Sequence, residues 1–494
     1  MGIDNSKKSL NGEIVSFAQK AARGGLWFSG FKFITQVFSW IITVVVARIL
    51  VPEDYGLMAM ASILTGYVQI FSEMGLGAAI IQKKEITEKE LSSVFWLSFL
   101  IGCGVAAVSF SLAYPTAWIF NEQRVIPITQ LISTVFIISA LMIVPYNILS
   151  REIRFKEIGL IQLISVGLAS LSMLWMANKG FGVWTLINGT IIQRTIVVIL
   201  TFLASKWWPI FHFNFEEAKP LLAFGVNIAG SRSLFYFFQK ADKFIVGKMF
   251  NAQSLGYYSF AMELANIPTD KVVSILQQVC FPVFSRYQDD LAKCQDMYLK
   301  MTKFISLISA PLLMGGVFFG KEIILNVLGE KWRPIIFIFR MFCITQFFIF
   351  LTEINGIIHY AQGKPHYTLI FNLIRAVVMS LSIFIASNYG LNALMLPWVC
   401  VYPFLCIGWA WITLRKLNIP IIRYLNNIVM PIVASGVMVA LIISWNFLMN
   451  AAHIAFENDR VVLIQEIIMG AIFYSVYLLL FEKKSLAMIW SLRR

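Results

Sequence analysis

Long apolar segments recur along almost the whole chain, and they limit the folds that it can adopt. Of its 494 residues, 59% are hydrophobic and only 13% are charged, and the mean hydropathy is +0.75. A water-soluble domain could not bury this much apolar surface. Since a spanning helix takes about 20 mostly apolar residues, we predict an all-α polytopic membrane protein of about fourteen transmembrane helices.

The predicted spans are apolar runs bounded by polar or turn-forming residues. They are 24–48, 55–81, 91–114, 125–148, 157–178, 181–204, 219–242, 253–281, 303–319, 334–358, 366–388, 390–413, 423–447 and 462–481. We divide the chain into a cytoplasmic lead-in (1–23), an N-lobe of six helices (24–204), a cytoplasmic linker (205–218), a C-lobe of six helices (219–413) and a C-terminal pair with a cytoplasmic tail (414–494). The polar lead-in lacks the apolar core and cleavage site of a signal peptide.

The positive charges are distributed unevenly between alternate loops, which predicts the orientation in the membrane. With the N-terminus inside, 24 Lys and Arg residues fall in the inside segments and their edges, and 8 fall in the outside loops. Cytoplasmic loops carry such an excess, so we predict both termini in the cytoplasm. Because the net charge of +14 is spread over these short loops, it reflects topology and does not indicate a nucleic-acid partner.

An internal repeat relates the two halves of the chain. A shift of 200 residues aligns 23–61 with 223–261, and a shift of 208 aligns Gly182 with Gly390. The first shift matches these pairs: Gly25 and Gly225, Gly30 and Gly230, Phe38 and Phe238, Val46 and Val246, Gly56 and Gly256, Ala61 and Ala261, and Lys32 and Arg232. Six spans precede the second copy, so the copies point the same way. Parallel repeats with a site between them are one plan of membrane transporters.

Several of these segments resemble the polysaccharide-transport branch of the MOP exporter superfamily, and most closely the Wzx-type flippases of the colanic-acid and teichuronic-acid export kind. The segments are GGLWFSGFKFITQVFSWIITVVVARILVPEDYGLMAMAS (24–62), FSEMGLGAAIIQKKE (71–85), YNILSREIRFKEI (146–158), FGVNIAG (224–230), DKFIVGKMFNAQSLGYYS (242–259) and LGEKWRP (328–334). The similarity runs from about residue 20 to about residue 420. The last two predicted spans are less distinctive.

The resemblance implies two lobes around a central cavity that opens alternately to either side of the bacterial inner membrane. It also implies the cargo, an oligosaccharide unit linked to undecaprenyl pyrophosphate, for exopolysaccharide or lipopolysaccharide synthesis. Membrane lipids and other polysaccharide-assembly proteins are the partners that it suggests. It implies no cofactor.

Ionisable side chains inside the spans are the main candidates for a site, because a charge at bilayer depth is costly unless it meets water or a partner. Arg194 and Arg375 lie well inside their spans, and a planar guanidinium suits phosphate oxygens. Lys32 and Arg232 could line a cavity entrance or form structural ion pairs. Arg340 could face the cavity or extend outward. We predict a cationic substrate site from Lys32, Arg194, Arg232, Arg375 and Arg340.

Four intramembrane carboxylates raise the question of ion coupling. Glu73, Glu263, Asp270 and Glu353 could bind a proton or sodium ion that drives transport, or could form structural ion pairs. Glu263 and Asp270 are seven residues apart and share one face of a helix. The sequence leaves both interpretations open.

Two other functions compete with the flippase. An ion-coupled multidrug or cation antiporter of the same superfamily would favour carboxylates in its cavity, whereas this chain has more cations than acids in its spans. A membrane-embedded glycan polymerase or ligase would carry a large outside loop, and the longest here, about 320–333, is short. No nucleotide-binding motif and no cysteine or histidine metal pattern occurs, so we predict a transporter that has no catalytic residues and no metal.

Overall fold

The computed structural model describes residues 27–28, 30–73, 76–83, 85–215, 236, 239–452 and 459–482. Within these residues the regular structure is entirely helical. The longer helices are α1 (Gly30–Ile49), α2 (Pro52–Glu73), α3 (Leu76–Gln82), α4 (Glu88–Ser111), α5 (Ala113–Phe120), α6 (Val125–Arg151), α7 (Phe155–Asn178), α8 (Val183–Ser205), α9 (239–249), α10 (Ala252–Arg286), α11 (Leu291–Phe318), α12 (Gly320–Val327), α13 (Ile335–Ala361), α14 (Pro365–Ser387), α15 (Tyr402–Lys416), α16 (Ile421–Ala451) and α17 (Asp459–Phe481).

The all-α, multi-pass fold class is confirmed. In the described part of the chain, twelve helical segments are long and apolar enough to cross a membrane. The predicted span 253–281 lies within α10, a 35-residue helix that is not among the twelve. The predicted span 219–242 lies mostly outside the described residues. The number of fourteen spans therefore stays a prediction.

The predicted span 390–413 is less regular than the sequence pattern suggested. It begins with a 3₁₀ turn at Asn392–Leu394, continues as a π-helical turn at Pro397–Val401, and becomes α15 only at Tyr402. Proline has no backbone N–H and interrupts regular hydrogen bonding, and Pro397 and Pro403 fall in this stretch. The hydroxyl of Thr345 on α13 donates to the Trp398 carbonyl at 3.2 Å, which supplies a bond from a neighbouring helix.

The chain folds into two compact units, Met1–Gly256 and Tyr257–Arg494. The predicted boundaries of the lobes and the linker are not tested by this division. In the first unit, α6 is central, because it contacts every helix from α2 to α8 in that unit. Its Val144 and Leu149 are fully buried, each in a separate apolar cluster. A capping box made by Thr87 and Glu90 starts α4.

The second unit is organised around α11 and α13. Helix α11 packs against both α13 and α16, and α13 also contacts α12, α14 and α15. The side chain of Asp290 caps the start of α11. A buried hydrogen bond of 2.5 Å joins Tyr298 on α11 to Asn355 on α13. These contacts position α13, which forms one wall of the cavity described below.

The geometry of two matched glycines supports the internal repeat. Gly182 and Gly390 both have positive φ, at 56° and 103°. Gly182 precedes the first residue of α8, and Gly390 precedes the irregular start of the segment that leads into α15. Since glycine adopts positive φ without steric cost, both halves use it at the corresponding turn.

Candidate functional site

A polar cavity of about 720 Å³ lies within the second unit. Helix α13 forms one wall, α14 forms another, and Trp409 of α15 and Phe281 of α10 complete it. The lining residues that can form polar contacts are Thr352, Glu353, Tyr360, Thr368, Asn372, Arg375 and Trp409. The cavity therefore brings together two residues predicted from the sequence, Arg375 and Glu353.

Arg375 is the half-buried cation of this cavity, and Asn372 lies one turn before it on α14. Its guanidinium carbon is 5.9 Å from the centre of the Phe371 ring. The Arg375 charge is also close enough to act on the buried side chains of Tyr402 and Cys406. The Phe371 ring gives the guanidinium an aromatic neighbour, and Arg375 forms no ion pair with the residues that the structure describes, so no carboxylate among them takes up its donors.

Glu353 lies on the α13 wall, within electrostatic reach of Tyr360 two turns later. Gly356 lies between them, and a methyl group added there would meet the Thr368 methyl at 3.8 Å. Helices α13 and α14 therefore pack side by side here with room for one methyl group between them. Glu353, Gly356 and Tyr360 are spaced so that they lie on one face of a helix. This spacing is present in the sequence, where only Glu353 was predicted, as a single charge.

Aromatic and basic side chains cluster beside the polar cavity, near the start of α14 and the end of α15. The His359 ring packs against Trp409 at a centroid distance of 4.8 Å, and its Nε2 is 3.1 Å from the Thr413 hydroxyl. The ammonium group of Lys416 lies 2.8 Å from the centre of the Tyr367 ring. These residues were not predicted from the sequence, because a lone His or Lys near a span end usually has an ordinary structural role.

The remaining predicted cations lie elsewhere. In the first unit, Arg194 is half-buried on α8 and makes no hydrogen bond or ion pair with the described residues. Lys32 is exposed on α1, 5.9 Å from the centre of the Phe28 ring. In the second unit, Arg340 donates to the carbonyl of Phe318, the last residue of α11, at 3.0 Å. Arg232 lies outside the described residues.

Only two of the four predicted carboxylates have described side chains. Glu353 lines the polar cavity, and Glu263 is exposed on α10. Glu73 and Asp270 belong to α2 and α10, but their side chains lie outside the described part of the structure. Among the described residues, no group of three His, Cys, Asp or Glu side chains is placed to hold a metal ion.

An apolar groove of about 570 Å³ lies on the other side of α15. Helices α11, α13, α15 and α16 line it with residues that include Leu313, Phe347, Trp411 and Ile428. Trp409 faces the polar cavity, whereas Gly408 and Trp411 line the groove. Helix α15 thus separates a polar compartment from an apolar one. The twelve apolar helices of the described chain indicate a multi-pass membrane protein, in which a polar cavity containing Arg375 lies beside an apolar groove.

Comparisons with known proteins agree with this class. The family profile described as "Polysaccharide biosynthesis protein" matches residues 45–337. Teichuronic acid biosynthesis protein TuaB of Bacillus subtilis is 25% identical over 404 residues, which are 80% of this chain and 82% of TuaB. Succinoglycan biosynthesis transport protein ExoT of Rhizobium meliloti is 23% identical over 468 residues, covering 94% of this chain and 92% of ExoT.

Among solved structures, the lipid II flippase MurJ in an inward closed conformation has a TM-score of 0.70 with 16% identity, over 93% of this chain and 99% of MurJ. At that identity the similarity shows a common fold. The family profile covers more than half of the chain, and the protein belongs to the polysaccharide biosynthesis protein family. The resemblance found in the sequence is thereby confirmed.

Proposed function

We propose that this protein is a flippase that moves oligosaccharide units linked to undecaprenyl pyrophosphate from the inner to the outer leaflet of the cytoplasmic membrane by alternating access. The observation that carries the proposal is Arg375, which lies in a polar cavity with an apolar groove behind α15. Such a cargo has an anionic head, a polar glycan and a long apolar tail. The two compartments of the second unit match this division.

The chemistry of the cavity fits a pyrophosphate. Moving its negative charge out of water is costly unless cations offset the lost hydration. The Arg375 guanidinium can give two parallel hydrogen bonds to phosphate oxygens, and the amide of Asn372 and the hydroxyl of Thr352 can bind sugar hydroxyls directly or through water. Arg194, Lys32 and Arg232 are the further cations that we propose for the head group, and Arg194 is the strongest of them because no described residue pairs with it. For Arg340, which donates to the Phe318 carbonyl, we propose a structural role.

The names of the relatives support the same cargo class. TuaB is named for teichuronic acid biosynthesis, ExoT is named as a succinoglycan biosynthesis transport protein, and the structurally similar MurJ is named as a lipid II flippase. We propose that the protein lies in the bacterial inner membrane with both termini in the cytoplasm, and that a proton or a sodium ion drives it. An arginine-containing cavity is a poor site for the cationic drugs of a multidrug antiporter.

Replacing Arg375 tests the proposal. We expect Arg375→Gln to lower glycan export at least about tenfold, which is a loss of about 1.4 kcal/mol in the transport step. Arg375→Lys should keep part of the activity, because the charge remains and the bidentate fork is lost. Arg333→Gln is the matched control, since Arg333 is an exposed loop arginine that pairs with Glu330 at 2.7 Å.

The measurement is the amount of lipid-linked glycan on the inner leaflet and of exported polymer, in cells that depend on the plasmid-borne protein. Protein level in the membrane and melting temperature are recorded for each variant, to separate transport from folding. Export at the native rate by both Arg375→Gln and Arg194→Gln would contradict an anionic site at these arginines. In a deletion strain, accumulation of an inner-leaflet lipid-linked oligosaccharide would identify the repeat unit.

A further inference from the structure

A buried carboxylate on α17 has no role in the proposed cargo site. Glu466 is only 5% exposed, although α17 is otherwise an apolar membrane-spanning helix. It lies seven residues after the start of α17, which corresponds to about 10 Å along the helix. A carboxylate at such depth is costly and is a candidate for function unless its charge is offset.

The two oxygens of Glu466 have different surroundings. Oε1 accepts a hydrogen bond of 2.6 Å from the side-chain amide of Asn446 on α16. Oε2 is buried and has no hydrogen-bond partner among the described residues. Glu466 also lines a cavity of about 530 Å³ to which α10, α11, α12, α13, α16 and α17 contribute residues. One oxygen therefore fixes the side chain between the two last helices, and the other is left without a protein donor.

A second carboxylate lies nearby on α12. Glu322 is close enough to Glu466 for electrostatic repulsion, and its own Oε2 is also buried without a partner. Neither carboxylate forms an ion pair with a basic side chain in the described part of the chain. Two nearby carboxylates repel each other when both are ionised, so each disfavours the charged form of the other.

The surrounding side chains favour a proton over a metal cation. The ionisable residues on the elements around Glu466 include Lys321 and Glu322 on α12, Arg340 on α13, Glu263 on α10, and Asp459 and Arg460 on α17. Arg340 is directed to the Phe318 carbonyl, and the Tyr474 hydroxyl, which also borders the cavity, donates to the Leu307 carbonyl. The rest of the lining is almost entirely apolar. A hard metal cation takes about six oxygen ligands, which this lining does not offer.

We propose that Glu466, held by Asn446 and facing Glu322, is a proton-binding site in the C-terminal helix pair. Burial favours the protonated form of the Glu466 carboxyl, and the nearby Glu322 favours it further by disfavouring a second negative charge. The site is separate from the cavity of Arg375 and does not depend on the identity of the cargo. It gives the transporter a protonatable group at the α12, α16 and α17 contact.

The first test uses the purified full-length protein and the apolar reagent dicyclohexylcarbodiimide, which reacts with protonated carboxyl groups inside membrane proteins. Mass spectrometry of the peptides should show an adduct on Glu466 that is absent from Glu466→Gln. The adduct should decrease as the pH is raised from about 6 to about 9. Replacing choline chloride with sodium chloride at fixed pH should leave the adduct unchanged. Protection by sodium would overturn the proton assignment in favour of a metal cation site.

The second test does not depend on access of the reagent. A group that binds a proton more tightly in the folded than in the unfolded protein contributes stability at low pH that is lost as pH rises. The melting temperature of the native protein should therefore fall more steeply toward alkaline pH than that of Glu466→Gln, which mimics the protonated acid. Asp459→Asn, on the exposed first turn of the same helix, should keep the native slope. Parallel profiles for the native protein and Glu466→Gln would refute the proposal, whatever the labelling result.

Discussion

Gly56 of α2 and Gly256 of α10 face each other across a reciprocal backbone contact. A methyl group added to Gly56 would overlap the carbonyl oxygen of Ala252 and come within 3.0 Å of the Gly256 nitrogen. One added to Gly256 would overlap the carbonyl oxygen of Pro52 and come within 3.0 Å of the Gly56 nitrogen. The two glycines align at the 200-residue shift, so equivalent helix starts of the two repeats cross here, with only backbone between them.

We expect Gly56→Ala to separate the starts of α2 and α10, because overpacking against backbone costs about 1–3 kcal/mol and no flexible side chain can yield. Spin labels at the exposed positions Val51 and Gln253 should give a longer distance distribution in the variant. Gly167→Ala is the control, since an added methyl at Gly167 on α7 meets nothing within 4 Å. An unchanged distribution together with an unchanged melting temperature would show that this crossing can accommodate a side chain.

Arg340 should contribute to stability more than to transport. Its guanidinium caps the carbonyl end of α11, where a positive charge is favourable, and the bond to Phe318 is 3.0 Å long. Arg340→Gln should therefore destabilise the protein by about 1 kcal/mol, after allowance for partial exposure. Export per folded molecule should stay near the native rate, in contrast to Arg375→Gln. A variant of normal melting temperature with lost export would place Arg340 in the cargo site.

Reporter fusions test the predicted orientation. Fusions after Lys84, Arg154, Arg286 and Arg415 should report the cytoplasm, because these positions lie in the segments rich in positive charge. Fusions after Glu122 and Glu457 should report the outside. The Arg286 fusion is decisive, because it follows α10 and depends on an even number of spans before it. An outside result at Arg286 would break the arrangement of parallel halves.

The turn between α5 and α6 should give a small acid-dependent loss of stability. Arg124 contacts Glu53 at 2.6 Å and Glu122 at 2.7 Å, and its hydrogen bond to Glu122 lowers the pKa of that carboxyl below its ordinary value. The stability that Glu122 contributes is therefore present at neutral pH and is lost as pH falls through its lowered pKa. Because the Arg124 side chain is 55% exposed, solvent screens the pair and the effect is small.

Melting temperatures of the native protein and Glu122→Gln should converge as the pH is lowered and differ at neutral pH. Glu88→Gln, which replaces an exposed carboxylate in the first turn of α4, is the comparison for a change of charge alone. A constant difference across the pH range would mean that Glu122 is not stabilised by Arg124.

Some site residues could be predicted because a charged residue inside an apolar run is visible in the sequence and is costly to place in a membrane. Arg375 and Glu353 stand out as charges in apolar runs, and the structure places both in one cavity. Arg340 stood out for the same reason, but its guanidinium donates a hydrogen bond to the Phe318 carbonyl at the end of α11. Glu466 was missed, although it too is a charge in an apolar run, because no repeat partner or neighbouring charge marks it in the sequence.

By itself, the sequence determined that the chain spans a membrane as helices, that its halves are related, and to which family it belongs. These properties follow from the local apolar runs and from glycines repeated at a fixed shift, which any fold of this chain must accommodate. Only the tertiary structure decided which intramembrane charges share a compartment. The apolar run fixes the depth of a side chain, but its neighbours depend on how helices distant in sequence pack. Arg375 reaches a cavity and Arg340 a helix end for that reason.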